Sequence, residues 1–352
     1  MHIVTLGSGT GQATLLRGLR EYPCQVTAIV GVTDNGGHSG QLRKQLRIPQ
    51  VGDTRQCLAA LADGESPWGR LLRHRFAQGN LEGVSVGNLV LAALTAEHGS
   101  LNAAAADIRE AAGLAHRVLP VSDGDAQIGA ELEDGCLVIG EWQIIQRRPD
   151  SPVKRLFLQP PTAAHAAVSE AISAADLLVV CAGSLLTGVI PVLLHAGVKE
   201  ALCRSRAPIV QVLNLMTQPG QTDGYTARRH LAALRPYLGR SVDAVLVNDA
   251  PLPADLMRVY EPQGGLPVAN DLTENDALLI AADLVEHPDP DSLRAYTRPQ
   301  AAGMRVGMHL VRHDARKLAA RIMAFAGRHS FLTASRRAKY DATASQSPPH
   351  HR

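Results

Sequence analysis

His2-Ile-Val-Thr-Leu-Gly-Ser-Gly-Thr-Gly11 opens the chain as a short apolar strand that runs into a glycine-rich turn. Helical spacing follows at Ala13, Leu15, Leu16 and Leu19, and Pro23 closes that helical region. Gln25 to Val32 is then a β-branched apolar run. Strand, helix and strand within about 30 residues make one βαβ unit, which crosses over right-handed and implies a parallel sheet. The fold class that follows is α/β: a Rossmann-like, doubly wound, mostly parallel sheet.

The pattern continues outward from this unit. Thr33 to Gly52 is loop-like, with Asp53 placed to N-cap the next helix and Gln56 placed as its capping-box partner. That helix carries Cys57, Leu58 and Leu61 on one face, a second covers Pro67 to Phe76, and Asn88 to Glu97 is apolar nearly all round. Val118 to Pro160 differs in texture. Short strands at Val118–Val121, Leu137–Ile139, Trp142–Ile145 and Val153–Leu158 alternate with Asp-Gly and Pro-Asp turns, which reads as a small antiparallel insertion.

The α/β rhythm returns at the Ala-rich helix Ala163–Ala174 and the strand Leu177–Val180. A helix over Ile190–Ser205, a strand over Pro208–Leu213, a helix over Thr226–Leu234 and a strand over Ala244–Val247 follow. Glu274–Glu286 is the best helix candidate of an irregular stretch, Arg305–Leu310 reads as a late strand, and Ala315–Ala326 as a closing helix. The expected organisation is one domain over 1–328, with 118–160 as a β-rich insertion within it, and a flexible tail over 329–352.

Composition narrows the function. Of 352 residues, 45% are hydrophobic, 19% charged and 3% aromatic, and the formal net charge is +2. That is ordinary globular composition without the basic footprint or stacking platforms of a nucleic-acid binder. The five cysteines form no Cys-x-x-Cys pair, which argues against a zinc site or a disulfide framework and for a reducing compartment. No signal peptide is evident, and the longest apolar runs are too short to span a bilayer. The expectation is a cytoplasmic protein with no nucleic-acid partner and no membrane insertion.

Chemistry-bearing residues recur after strands. Gly7, Gly9, Thr10 and Gly11 lie between a strand and a helix, where free amides and the helix dipole favour an anion such as phosphate. Gln12 stands where the dinucleotide fingerprint has its third glycine, which weakens a standard NAD reading. Asp34, Asn35, Gly37 and Ser39 follow the second strand; Asp34 suits ribose hydroxyls and is the sole weak candidate for a metal. Asp53 and Arg55 open another helix, Asn88 a further one, and Arg55 suits phosphate or carboxylate. Gly183, Ser184 and Thr187 form a third cradle candidate, and Asn214 and Thr217 follow the strand beyond it. Each taken singly is also a plain turn or cap residue; the shared placement after strands is what points to a ligand site. His38 beside Ser39 matches no triad spacing, and no catalytic residue is assigned.

Seven motifs in order resemble the YvcK/CofD-like family. They are Gly7-Ser-Gly-Thr-Gly11, Asp34-Asn-Gly-Gly-His-Ser-Gly40, Gly52-Asp-Thr-Arg55, Ser85-Val-Gly-Asn88, Gly183-Ser-Leu-Leu-Thr187 with Ile190-Pro191, Asn214-Leu-Met-Thr-Gln-Pro-Gly220 with Gly224-Tyr-Thr226, and Arg312-His-Asp314. The resemblance covers residues 1 to 326, and the Asn214–Gly220 stretch points to the YvcK branch, the gluconeogenesis factors. It implies binding of a nucleotide sugar such as UDP-N-acetylglucosamine, with no cofactor required. It also implies a role in gluconeogenic growth, cell-envelope synthesis and cell shape. A homo-oligomer and a protein partner in cell-wall synthesis are compatible with it. The CofD branch instead implies a transferase that moves a phospholactyl-type group from a nucleotide diphosphate donor with Mg2+.

This chain departs from the family pattern at Ser8, Asn35, His38, Val84, Cys181-Ala182 and Val192. Asn35 replaces a second aspartate, which weakens a hard-cation site. Beside the regulatory and transferase readings stand an NAD(P)-dependent oxidoreductase, for which no hydride-positioning motif is visible, and a scaffold with a vestigial cleft.

Overall fold

The computed structural model describes residues 1–147, 151–260, 264–273, 276–287 and 311–344. Its strands are β1 (His2–Gly7), β2 (Gln25–Val30), β3 (Arg117–Pro120), β4 (Gln127–Leu132), β5 (Leu137–Ile139), β6 (Val153–Gln159), β7 (Leu177–Val180), β8 (Ile209–Val212), β9 (Ala244–Asn248) and β10 (Leu278–Ala282). Seven form one sheet in the order β10-β9-β8-β7-β1-β2-β3, with every neighbouring pair parallel. β7 and β8 are buried along their whole length and β9 up to Val247, as expected of parallel strands covered on both faces. β4, β5 and β6 form a separate antiparallel sheet in the order β5-β4-β6.

The helices are α1 (Gly9–Leu19), α2 (Gly37–Leu46), α3 (Gly52–Leu61), α4 (Pro67–Arg73), α5 (Val86–His98), α6 (Leu101–Ala111), α7 (Glu141–Ile145), α8 (Ala166–Ser173), α9 (Ile190–Leu194), α10 (Val198–Arg204), α11 (Ala227–Leu238), α12 (Ala254–Tyr260) and α13 (Ala315–Ala344). α1 turns Leu15, Leu16 and Leu19 wholly into the core, each contributing about 1.5–3 kcal/mol by burial. It packs against α3 and α13. The crossing with α13 requires Gly18, because a Cβ there would sit 2.0 Å from the Ala315 carbonyl oxygen. Among the described residues no helix is long and apolar enough to cross a membrane.

Strand order reverses at β1. The chain runs outward through β2 and β3, then returns to β7 on the other side of β1 and runs outward again. In open α/β sheets ligands bind at such a switch point, outside the carboxyl ends of the strands.

Several local expectations are corrected. The stretch expected as a loop, Thr33 to Gly52, contains α2. Its apolar content is low, and the buried Arg43 anchors it instead. α3 begins at Gly52 after Val51, so Asp53 lies inside the first turn and makes no side-chain cap. Val118 belongs to β3 at the edge of the main sheet, β4 supplies the insertion's middle strand, and Trp142–Ile145 is part of α7. The helix expected over Ile190–Ser205 is two helices, broken near Gly197, whose φ is +97°. The core of Glu274–Glu286 is the strand β10, because pairing to β9 overrides local propensity. α13 continues past His329 to Ala344, where an irregular tail was expected; its Ala- and Arg-rich run has good helix propensity. Arg305–Leu310 and 345–352 lie outside the described residues.

Candidate functional site

The loops after β1 and β7 meet at the switch point. A Cβ on Gly11 would lie 1.9 Å from the Ala182 carbonyl oxygen, so only glycine lets them approach this closely. Gly9 adopts φ +59°, in the left-handed region. Ser8 precedes α1 with extended backbone and caps no amide with its side chain. The first turn of α1 therefore presents backbone N–H groups and the positive end of a helix dipole at the crevice.

The missing third glycine of the dinucleotide fingerprint has a structural explanation. Gln12 is fully buried, and its Nε2 donates to Thr5 Oγ1 at 3.0 Å and to the Ile29 carbonyl at 3.0 Å. Cys57 Sγ donates to its Oε1 at 3.7 Å. One carboxamide thus ties β1, β2 and α3 together beneath the cradle.

Three carboxylates gather on the β2 side. Gly36 N donates to Asp34 Oδ1 at 2.6 Å, and Gln50 Nε2 to Asp34 Oδ2 at 3.3 Å. Glu141, the first residue of α7, accepts from Asn35 N at 3.1 Å and hydrogen-bonds the side chains of Asp34 and Thr187. Asp53 is buried and accepts from the Gly9 amide, the first of α1. Burial, then the nearby Asp34, pushes the Asp53 carboxyl up to about 8. Burial, then the hydrogen bond to Asp34, pushes the Glu141 carboxyl up to about 8 as well. The proton held on Glu141 makes its hydrogen bond to Asp34.

Arg43 fixes this side of the cleft. It is 5% exposed and donates to the Thr33 carbonyl at 3.1 Å, Asn35 Oδ1 at 2.7 Å, Asp125 Oδ1 at 2.6 Å and the Ala126 carbonyl at 2.6 Å. The loop after β2 is thereby clamped to the entry of the insertion.

On the β8 side, Asn214 accepts from Gly183 N at 2.9 Å and donates to the Gly183 carbonyl at 2.7 Å. Ser184 opens a π-helical turn, Leu185–Val189, of the kind that clusters at functional sites. Within it Thr187 donates from N and Oγ1 to Gln221 Oε1 at 3.3 and 3.2 Å. A shallow, solvent-open cleft lies here, reaching from Thr10 and Gly11 past Gly183 and Asn214 to Tyr260 and His313.

The structure brings Gly7, Gly9, Thr10, Gly11, Asp34, Asn35, Asp53, Gly183, Ser184, Thr187 and Asn214 to the carboxyl ends of β1, β2, β7 and β8. Gly37 and Ser39 lie in the first turn of α2, where Ser39 Oγ donates to the Gly36 carbonyl at 3.3 Å. Arg55 and Asn88 face each other at 3.1 Å, and Arg55 also reaches the Leu72 carbonyl. Burial, then Arg75, lowers the Arg55 guanidinium to about 10. Thr217 is buried and pairs with Leu266: its N donates to the carbonyl at 2.7 Å, and its Oγ1 accepts from the amide at 2.9 Å. Sequence reasoning passed over Arg43, Gln50, Glu141 and His313, whereas Gln218 was among the polar groups it placed after the strand Pro208–Leu213. Gly140-Glu141 after a predicted strand carried the same turn signal as the other loops, and Arg312-His313 was seen only as part of a motif.

The family model described as 2-phospho-L-lactate transferase CofD matches residues 3–285. A Bacillus subtilis (strain 168) protein named Gluconeogenesis factor is 40% identical over 279 residues, covering 78% of this chain and 87% of its own length. A Halalkalibacterium halodurans protein of the same name is 41% identical over 273 residues, 77% of this chain and 84% of its own. A crystal structure of a UPF0052-family protein from Bacillus halodurans superposes with a TM-score of 0.81 at 36% identity, covering 92% of this chain and 98% of that one.

Proposed function

Since this chain belongs to the CofD family, which its gluconeogenesis-factor relatives share, we propose that it is a nucleotide-sugar-binding regulatory protein, of the UDP-N-acetylglucosamine type, linked to gluconeogenic growth, cell-envelope synthesis and cell shape. The observation that carries this reading is the anion cradle. The first turn of α1 and the loop after β7 meet at the switch point, with an open cleft beside them. Gly9, Thr10, Gly11, Gly183 and Ser184 would hold the diphosphate, Asp34 would accept from hydroxyls, and Asn214 would line the far wall.

The second reading is a transferase that moves a phospholactyl-type group from a nucleotide diphosphate, favoured by the description of the family model. It would need Mg2+, for which Asp34 is the candidate ligand. Among the described residues no group of three His, Cys, Asp or Glu is arranged to hold a metal, and Asp34 and Glu141 meet through a hydrogen bond instead.

Isothermal titration with UDP-N-acetylglucosamine, UDP-glucose, GDP and NAD, with and without Mg2+, separates the two. Metal-independent binding of a UDP-sugar that is recovered intact supports the regulatory role. A preference for GDP, or cleaved ligand, supports the transferase.

A further inference from the structure

α7 belongs to the insertion, yet its contacts are with the crevice. At its N-terminal end Glu141 accepts from Asn35 N at 3.1 Å and hydrogen-bonds the side chains of Asp34 and Thr187. That one residue touches both the loop after β2 and the π-helical turn after β7. Just past the C-terminal end of α7, Arg147 donates to the Gly220 carbonyl, in the loop after β8. Gly220 adopts φ +80°, and a Cβ there would lie 2.1 Å from the Ile145 carbonyl oxygen, so that loop packs directly on the backbone of α7. The segment Glu141–Arg147 thus reaches the loops after β2, β7 and β8.

A helix of five residues has no stability of its own. α7 is held by Ile144, which is fully buried, and by the tethers at its two ends. Its placement therefore depends on the placement of the loops it touches, and theirs on it. Coupling of this kind is reciprocal: a ligand that fixes the loops fixes α7 by the same free energy. The other side of α7 faces solvent, with Trp142, Gln143 and Gln146 exposed. Trp142 follows Glu141 directly and is 54% exposed, and β5, which enters α7 through Gly140, exposes Leu137 and Ile139.

We propose that α7 is a strap that couples occupancy of the crevice to the exposed face of the insertion, with Glu141 as its positioning residue. A ligand that settles against the loops after β2 and β7 fixes Asn35 and Thr187, and through Glu141 it fixes α7. Conversely, α7 in place holds those loops in the register that binds ligand. The site thereby gains a solvent-facing output, because the surroundings of Trp142 change as ligand binds. This inference rests on the nucleotide reading above and adds a means of regulation to it.

The test uses the full chain with Trp68→Phe, which leaves Trp142 as the sole tryptophan. UDP-N-acetylglucosamine should change the Trp142 emission saturably, with the midpoint that calorimetry gives for binding. Glu141→Ala should weaken binding about tenfold and abolish the emission change, whereas Glu141→Gln, whose amide still accepts from Asn35 N, should keep both. A second arm needs no ligand. Arg147→Met cuts the tether to Gly220 at one end of α7 and should speed hydrogen exchange of the Asn35 amide at the other. Three results overturn the coupling and leave nucleotide binding standing: a flat Trp142 signal while calorimetry shows binding, an emission change undiminished in Glu141→Ala, or Asn35 exchange unaltered in Arg147→Met. If the sugar nucleotide does not bind, the nucleotide reading falls and the exchange arm alone decides the strap. If Glu141→Ala does not fold, the Trp142 emission and the Arg147→Met exchange decide it.

Discussion

Asn214 makes both of its carboxamide hydrogen bonds to one residue, accepting from Gly183 N at 2.9 Å and donating to the Gly183 carbonyl at 2.7 Å. This reciprocal pair locks the loop after β7 to the loop after β8, 31 residues apart in sequence. Asn214→Ala removes both bonds, at about 1 kcal/mol each. The expected result is a stability loss of about 2 kcal/mol by denaturant titration and a tenfold or greater loss in nucleotide affinity. Asn214→Asp should be worse for an anionic ligand, because it sets a negative charge beside the cradle and an acceptor against the Gly183 carbonyl. Equal affinities for the two variants would mean that Asn214 does not border the bound phosphates.

Gly11 answers to sterics alone. A Cβ at this position would lie 1.9 Å from a backbone oxygen that cannot rotate away. Gly11→Ala should force the two loops apart, cost about 1–3 kcal/mol or more, and abolish nucleotide binding. Gly79→Ala is the control: φ is +75° there, but nothing lies within 4 Å of the added Cβ. It should cost about 1–2 kcal/mol of backbone strain and leave affinity unchanged. Calorimetry on both variants, with melting curves alongside, checks the contrast.

Arg43→Lys tests whether the insertion is fastened to the site. The guanidinium bridges acceptors on Thr33 and Asn35 to acceptors on Asp125 and Ala126, and one ammonium group cannot span them. The loss should be about 2 kcal/mol or more, from buried carbonyls left without donors. Asp34 and Glu141 should also lose their register, which would show as lower ligand affinity. A variant with wild-type stability and affinity would place Arg43 outside the support of this loop.

What the sequence showed and what it hid divides along physical lines. The β1–α1–β2 unit was legible because period-3.6 spacing, a glycine turn and β-branched runs all point one way. α2 was hidden because its stability comes from one buried arginine with distant partners rather than from an apolar face. β10 was hidden because its strand state depends on β9 as neighbour. In the site, the glycine loops were visible because glycine's backbone freedom leaves a local mark. Glu141 was not, because it lies 106 residues from Asn35 and its role arises when the insertion folds back onto the β2 loop. Gln12 was read as a defect in a fingerprint; the structure makes it a buried tie between strands and helices.

The buried carboxyls make stability depend on pH with a definite sign. Asp53 and Glu141 are each pushed up to about 8 in the folded protein, by burial first and then by Asp34, against an unfolded value near 4. Between these values the folded state binds more protons than the unfolded state. Stability therefore falls as pH rises from about 4 through about 8, and levels off above. Melting temperatures at pH 5.5 and 8.5 should show the lower value at 8.5. Asp53→Asn removes one of the two charges at the same volume. It should shrink that difference and raise stability at pH 8.5 by at least about 1 kcal/mol, the worth of a single pKa unit. Glu141→Gln should shrink it independently, since an amide can still accept from Asn35 N while donating to Asp34. The same protons bear on ligand binding. Asp53 accepts from Gly9 at the start of the cradle, so its ionised form competes with a phosphate there, and its protonated form does not. Nucleotide affinity should accordingly be higher at pH 6 than at pH 9 in the wild type, and nearly flat in Asp53→Asn. A wild type whose affinity and melting temperature both ignore this pH range would mean that Asp53 is ionised in the folded protein and lies away from the bound phosphates.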